Sequence, residues 1–180
     1  MPVPDTTDLA RLPLWAAVAF AARCARRVQP LFEAGWPQTA KFRRARAEQA
    51  AALERAIAVA ERFAAQAAGE PGYSAAADAD HAVDAQTAAG QFAADKAITA
   101  YADAAAGAAY AADVAADLTA GAAWARREDV YDLAARAVRG AASHPPTQAD
   151  IRQDFERLVG AAQGQEWDDR TPVPATFFGT

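Results

Sequence analysis

Apolar positions recur with a helical period in residues 14–36, and this is the clearest pattern in the chain. They follow one another at alternating steps of four and three residues, at Leu14, Val18, Ala21, Ala25, Val28 and Phe32. At about 100° per residue these positions lie within about 40° of one direction, whereas Arg23, Arg26 and Arg27 point to the other side. The pattern predicts a helix with one buried stripe and one solvated, basic side, and we expect it at the centre of an all-helical body.

Proline and a second apolar stripe delimit the first two helices. Pro30 lacks the N–H that a continuing helix requires, so the first helix should kink or stop there. A second helix is predicted over about residues 38–68. Its buried positions are Phe42, Leu53, Ala56, Ala60, Phe63 and Ala67. Gly69, Pro71 and Gly72 then provide an ordinary C-terminal end.

The chain contains no proline between Gly72 and Ser143, and this length cannot form one helix in a domain of this size. Because glycine commonly ends helices, we predict breaks at Gly90, Gly107, Gly121 and Gly140. The resulting helices cover about residues 75–89, 92–106, 108–120 and 127–140. Ser74 is a suitable N-cap for the first of them.

The C-terminal part divides into a last helix and a tail. Thr147 followed by Asp150 resembles a capping box. The apolar positions of the helix that follows are Ile151, Phe155, Leu158, Val159 and Ala162. Residues 166–180 combine three aromatic residues with two prolines, and we predict an extended tail that packs on the body; a tail that binds a partner is the alternative. The fold prediction is therefore a single all-α domain over residues 1–165, with six or seven Ala-rich helices in an orthogonal or irregular bundle.

Composition and charge restrict the classes of function. The net charge of −5 and the isoelectric point near 5.0 argue against a general nucleic-acid binder, because affinity for phosphate requires a basic surface. No apolar run reaches the roughly 18 residues that span a bilayer. The segment before the first helix contains Asp5 and Asp8, unlike the positive start of a signal peptide. We therefore expect a cytoplasmic protein that binds neither nucleic acid nor membrane.

Few residues suggest chemistry. Cys24 is the single cysteine, which rules out an internal disulfide, and its place beside the apolar stripe predicts a buried side chain and not a reactive thiol. Asp78, His81 and Asp84 are three residues apart and resemble half of the ligand set of a di-iron carboxylate bundle. The other histidine, His144, lies in a proline-containing loop, so we favour solvated surface charges over a metal site. No phosphate-binding glycine loop is present, and we predict no catalytic residue and no cofactor.

The middle of the chain is strongly acidic. Residues 71–123 carry seven aspartates and only one basic residue, Lys96. A helical face that presents aspartates among alanines offers negative potential to a basic partner; solubility alone is the alternative explanation. The candidate partner-binding residues are Asp78, Asp84, Asp95, Asp103, Asp113 and Asp117.

The segment ARCARRVQPLFEAGWP, with the residue before it, resembles the opening helix of the Imm5-like immunity proteins, which are small, all-helical bacterial proteins. The matching positions are Ala21, Cys24, Ala25, Arg27, Val28, Pro30, Leu31, Phe32 and Glu33. The remainder is similar in composition to uncharacterised Ala-rich helical proteins of GC-rich bacteria. The resemblance to the immunity proteins implies an all-helical protein that binds and neutralises a cognate toxin and has no catalytic residues.

The sequence thus favours a non-enzymatic protein-binding module, in which an acidic helical surface engages a basic toxin or another basic protein. A structural or self-assembling bundle, whose aromatic tail docks on a neighbouring subunit, is the first alternative. A carboxylate-rich metal-binding protein is the second, and the oligomeric state stays open.

Overall fold

The computed structural model describes residues 2–69, 73–92 and 97–178, and within them it contains helices and no strand. Seven α-helices form this part of the chain: α1 Thr6–Leu9, α2 Leu14–Ala34, α3 Arg43–Gln66, α4 Ala76–Phe92, α5 Ala97–Thr119, α6 Arg127–Ala142 and α7 Gln148–Gly164. Short 3₁₀ turns occur at Ala40–Phe42, Pro145–Thr147 and Ala175–Phe177. The predicted all-α bundle is confirmed. Over these residues, no helix has the length and apolar character needed to cross a membrane.

The first long helix, α2, lies at the centre and contacts α3, α5, α6 and α7. Its predicted stripe is confirmed, because all six positions are buried: Leu14, Val18, Ala21, Ala25, Val28 and Phe32. Burial extends further than predicted, since every residue from Leu14 to Ala25 is buried. Arg23 is only 6% exposed, so the prediction that all three arginines form a solvated side is wrong. The reason is that α7 and the C-terminal segment cover this second side of α2.

Pro30 lies inside α2 and does not end it, so of the two predicted effects, a kink or a stop, the stop is wrong. The helix continues to Ala34. Phe32 and Trp36, which follow the proline, are both buried, and their rings meet edge to face with centroids 5.9 Å apart. Burying side chains of this size contributes about 1.5–3 kcal/mol each, which offsets the roughly 3 kcal/mol cost of proline in a helix interior.

The second long helix, α3, begins at Arg43, after the 3₁₀ turn, and is shorter than the predicted span of residues 38–68. Its last turn ends at Ala67, whose backbone is left-handed with φ of 52°. The predicted apolar stripe faces the core: Leu53, Ala56, Ala60 and Phe63 are buried, and Phe42 and Ala67 are half-buried.

Gly107 and Gly140 permit close helix packing and do not end helices. The helix α5 runs through Gly107, so the break predicted there is wrong, and α6 ends at Ala142, two residues after the predicted end at Gly140. A Cβ atom at Gly107 would lie 2.9 Å from the Leu133 carbonyl oxygen, and one at Gly140 would lie 2.4 Å from that of Ala100. Each glycine thus lies against the backbone of the other helix, and any side chain would push α5 and α6 apart.

The other two glycines of this region differ in role. Gly90 lies within α4, two residues before the helix ends, so the break predicted there is also misplaced. Gly121 has φ of 85° and follows the end of α5, as a helix-ending glycine should. The first and last helices predicted in this region correspond to α4 and α6, whereas the middle two form the single helix α5.

The segment after α7 runs along the body. The Asp169 carboxylate accepts a hydrogen bond from the Leu14 N–H (2.8 Å), which supplies a cap that α2 otherwise lacks. The Val173 N–H donates to the Ala64 carbonyl oxygen (3.0 Å) at the end of α3. Val173 and Phe177 are buried. The segment therefore contacts α2 and α3 with both its backbone and its apolar side chains.

Replacing glycine by alanine should have opposite effects at two helical positions. Gly140→Ala places a Cβ against the backbone of α5, so we expect the free energy of unfolding to fall by about 1–3 kcal/mol. At Gly160 in α7 a Cβ atom would have no neighbour within 4 Å, so Gly160→Ala should raise the free energy of unfolding by about 0.5–1 kcal/mol. Urea denaturation of both variants measures the two effects, and equal stability of the two would contradict the close approach of α5 and α6.

Candidate functional site

The predicted acidic residues that the structure describes lie on two adjacent helices. Five of them lie on α4 and α5, which pack against each other: Asp78, Asp84, Asp103, Asp113 and Asp117. The sixth, Asp95, lies outside the described residues. Over their described lengths neither helix contains lysine or arginine. Cations that pair with these carboxylates must therefore come from neighbouring helices.

The carboxylate of Asp78 is used within the molecule. Asp78 is 7% exposed, and the Tyr73 hydroxyl donates a hydrogen bond to it. The Arg55 Nε lies 3.6 Å from its other oxygen. The hydrogen bond with Asp78 raises the pKa of the Tyr73 hydroxyl above its usual value. Asp78 thus links α3 to the first turn of α4 and does not face solvent.

Asp103 pairs with Arg136 across α5 and α6. The Arg136 Nε donates a hydrogen bond of 2.8 Å to one carboxylate oxygen, and a second guanidinium nitrogen bonds to the same atom. These bonds to Asp103 raise the pKa of Arg136. Both side chains are partly buried between α5 and α6, so this ion pair connects the two helices.

Asp113 of α5 caps the start of α4. Its carboxylate accepts hydrogen bonds from the Ser74 hydroxyl (2.8 Å) and the Ala76 N–H (3.1 Å). The Ser74 hydroxyl oxygen also accepts from the Ala76 N–H at 3.1 Å, as expected of a capping residue. A carboxylate at this end of a helix is further stabilised by the helix dipole.

Asp84 and Asp117 differ from these three, because neither carboxylate makes a hydrogen bond or ion pair with the described residues. A further aspartate that the sequence analysis missed, Asp80, is exposed on α4 and accepts a hydrogen bond from the Tyr110 hydroxyl. Burial and the bond to Asp80 raise the pKa of Tyr110 to about 12. The spacing of Asp80 and Asp84, which lie one helical turn apart, is the sequence signal that could have identified Asp80 as a further candidate. We call Asp80, Asp84, Asp113 and Asp117 the acidic face.

The residues considered for metal binding do not converge. Asp84 comes six positions after Asp78, which places the two about 120° apart around α4. Asp78 is turned toward α3, whereas His81 and Asp84 are exposed. Within residues 2–69, 73–92 and 97–178, no group of three histidine, cysteine, aspartate or glutamate side chains is arranged to hold a metal ion.

Cys24 is fully buried in α2, as the sequence predicts. Burial raises the pKa of its thiol far above the usual range, and the nearby Asp154 carboxylate adds to the effect. The reactive form of cysteine is the thiolate, so this thiol is inert at neutral pH.

A buried ionic cluster connects α2 to α7. Asp154 is 4% exposed and accepts hydrogen bonds from Arg23 (3.1 Å) and from two nitrogens of Arg27 (2.9 and 2.6 Å). Arg157 lies 3.4 Å from its other oxygen. Arg23 also donates to the Phe178 carbonyl oxygen at 3.2 Å. Because each partner is another residue of this chain, we interpret the cluster as structural.

A cleft of about 1020 Å³ opens at the end of the bundle where α3 and α5 finish. Its lining combines apolar residues such as Ala116 and Leu118 with polar and charged ones such as Asp169 and Arg170. Asp117 forms part of the wall, so the acidic face continues into this cleft.

Comparison with known protein families, with curated proteins and with solved structures finds no match to this chain.

Replacing Asp154 should destabilise the protein far more than replacing its neighbour Asp150. Asp154→Asn removes the charge that compensates the buried Arg23, so we expect a loss of about 3–5 kcal/mol in the free energy of unfolding. Asp150 also pairs with Arg27 but is half-exposed, and Asp150→Asn should cost less than about 1 kcal/mol. Chemical denaturation of the two variants tests the difference, and similar losses would contradict the structural role of the cluster.

Proposed function

We propose that this protein is a non-enzymatic protein-binding module that engages a basic partner through the acidic face. The observation that supports the proposal is the distribution of charge on α4 and α5. The four carboxylates of the acidic face lie on these two adjacent helices, which contain no lysine or arginine over their described lengths, and those of Asp84 and Asp117 have no partner within the described part of the chain.

The other two members of the acidic face are held in place. Asp80 is bonded to Tyr110, and Asp113 to Ser74 and the Ala76 N–H. These hydrogen-bond donors are neutral, so the carboxylates keep their negative charge while losing conformational freedom. A preorganised set of like charges strengthens the local potential and accelerates encounter with a partner of opposite charge.

We infer the chemical class of the partner from this charge, and the resemblance of α2 to the opening helix of the immunity proteins supports a toxin as that partner. We propose a cognate toxin with a basic surface as the partner. An assembly formed through the C-terminal tail receives less support, because Val173 and Phe177 of the tail are buried against the chain's own body.

Charge reversal at the two unpartnered aspartates tests the proposal. Asp84→Lys/Asp117→Lys should weaken binding of the partner by about a hundredfold or more, since like charges then face each other. Affinity purification from the native host, with wild type and variant compared, identifies the candidate partner, and calorimetry with that purified partner measures the affinity. Raising the salt concentration should weaken wild-type binding in the same experiment.

A matched control separates the acidic face from net charge. Glu128→Lys/Glu156→Lys changes the net charge by the same amount at exposed positions on α6 and α7. This control should bind as the wild type does. If both double variants bind the partner with wild-type affinity, the acidic face is not the binding surface.

A further inference from the structure

The cleft at the end of the bundle carries two opposite charges that do not pair. Its charged lining residues are Asp117 of α5 and, from the segment after α7, Asp169 and Arg170. The Asp169 carboxylate is already used, because it accepts a hydrogen bond from the Leu14 N–H (2.8 Å) and pairs with Arg127. The Asp117 carboxylate and the Arg170 guanidinium make no hydrogen bond or ion pair with any group that the structure describes. One anion and one cation therefore line the same space, each without an internal partner.

The wall of the cleft is held in place by contacts within the chain. Tyr73 is 43% exposed and lines the cleft, and its hydroxyl is bonded to Asp78. The Arg62 guanidinium lies 5.3 Å from the centre of the Tyr73 ring. The backbone of Arg170 is fixed by a turn, in which its N–H donates to the Asp168 carboxylate at 2.9 Å. A ligand would therefore meet a largely preformed site, which lowers the entropic cost of binding.

The cleft also offers apolar surface beside these charges. Leu14, which is buried, lines it together with the half-buried Ala116 and Leu118. The volume of about 1020 Å³ is at the upper end of the range usual for small-molecule sites. An apolar side chain that enters the cleft would lose contact with water, and this favours binding in proportion to the area covered.

We propose that this cleft binds a small zwitterion with an apolar side chain, which is the chemistry of a free amino acid or a dipeptide. The ammonium group of the ligand donates to the Asp117 carboxylate, and its carboxylate accepts from the Arg170 guanidinium, whose planar fork suits a carboxylate. The apolar side chain of the ligand packs against Leu118. A simple cation would leave Arg170 unpaired beside it, and a simple anion would do the same to Asp117, so a ligand carrying both charges fits best. The site needs no protein partner and shares only Asp117 with the acidic face.

Isothermal titration calorimetry of the full chain with leucine and with leucyl-leucine tests the proposal. We expect a dissociation constant on the order of 0.1–1 mM for the better of the two, as is typical of ligands with so few atoms. Three analogues of leucine each remove one feature: N-acetyl-leucine lacks the ammonium group, leucinamide lacks the carboxylate, and glycine lacks the side chain. Each should bind at least about tenfold more weakly than leucine, because a charge-assisted hydrogen bond or the apolar contact is lost. The comparison of leucine with leucyl-leucine shows whether a single amino acid or a dipeptide spans the two charges.

Two variants assign the charges to their residues. In Asp117→Asn the difference between leucine and N-acetyl-leucine should disappear, because the same contact is removed from the other side. In Arg170→Gln the difference between leucine and leucinamide should disappear for the same reason. Glu156→Gln in α7 and Arg139→Gln in α6 each remove a charge of the same sign at exposed positions outside the cleft, and should bind leucine as the wild type does. Equal thermal unfolding of the four variants and the wild type shows that the changes in binding do not come from misfolding.

Three results would overturn the proposal. They are a wild type that binds neither leucine nor leucyl-leucine, a wild type that binds leucinamide or N-acetyl-leucine as tightly as leucine, and variants of Asp117 and Arg170 that keep the full preference for the zwitterion. Equal binding of leucine and leucinamide would make the cleft a site for cations alone, in agreement with the acidic face but not with this inference. Every measurement uses the protein without a partner, so failure here leaves the proposed binding of a basic protein to be judged by its own variants.

Discussion

The fold depends on backbone-to-backbone proximity between helices lined with alanine and glycine. Most of the buried residues of α5 are alanine or glycine, and the helix packs on α2, α3, α4 and α6. Small side chains remove little apolar surface from water individually, so the stabilisation requires many close contacts at once. Gly107 and Gly140, each held against the opposite backbone, set how closely α5 and α6 approach. The larger side chains of α2, such as Trp15 and Phe20, then fill the remaining space in the core.

This constraint also explains which parts of the fold the sequence could predict. The apolar period of α2 and the stripe of α3 were visible because large and small apolar residues alternate with charges. In α4 and α5 alanine occupies both buried and exposed positions, so periodicity carries little information there. Glycine was equally ambiguous: Gly121 ends a helix, whereas Gly107 lies in the middle of one, and only the approach of α6 distinguishes them. The burial of Arg23 depends on Asp154, a residue distant in sequence, which no local pattern reveals.

The candidate site was predictable as a region but not as a set of residues. The excess of aspartate between residues 71 and 123 located the acidic side of the molecule. Tertiary contacts then divide these aspartates. Asp78 and Asp103 are paired with arginines of α3 and α6, while the carboxylates of Asp84 and Asp117 have no hydrogen-bond or ion-pair partner among the described residues. The aromatic contact between Phe42 and Phe92, with ring centroids 5.6 Å apart, joins segments that are distant in sequence, so neither segment alone predicts it.

The buried ion pair between Arg23 and Asp154 also affects when the central helix can fold during synthesis. Arg23 and Asp154 are 131 residues apart, and Asp169, which caps α2, follows Asp154. Synthesis proceeds from the N-terminus, so α2 leaves the ribosome long before Asp154, which neutralises Arg23, and Asp169, which caps the helix. Until Asp154 has been synthesised, the Arg23 guanidinium must stay hydrated, since an unpaired charge is costly to bury. The central helix therefore reaches its native environment only after Asp154 and Asp169 have been synthesised, so a distant C-terminal segment completes the core that the first long helix begins.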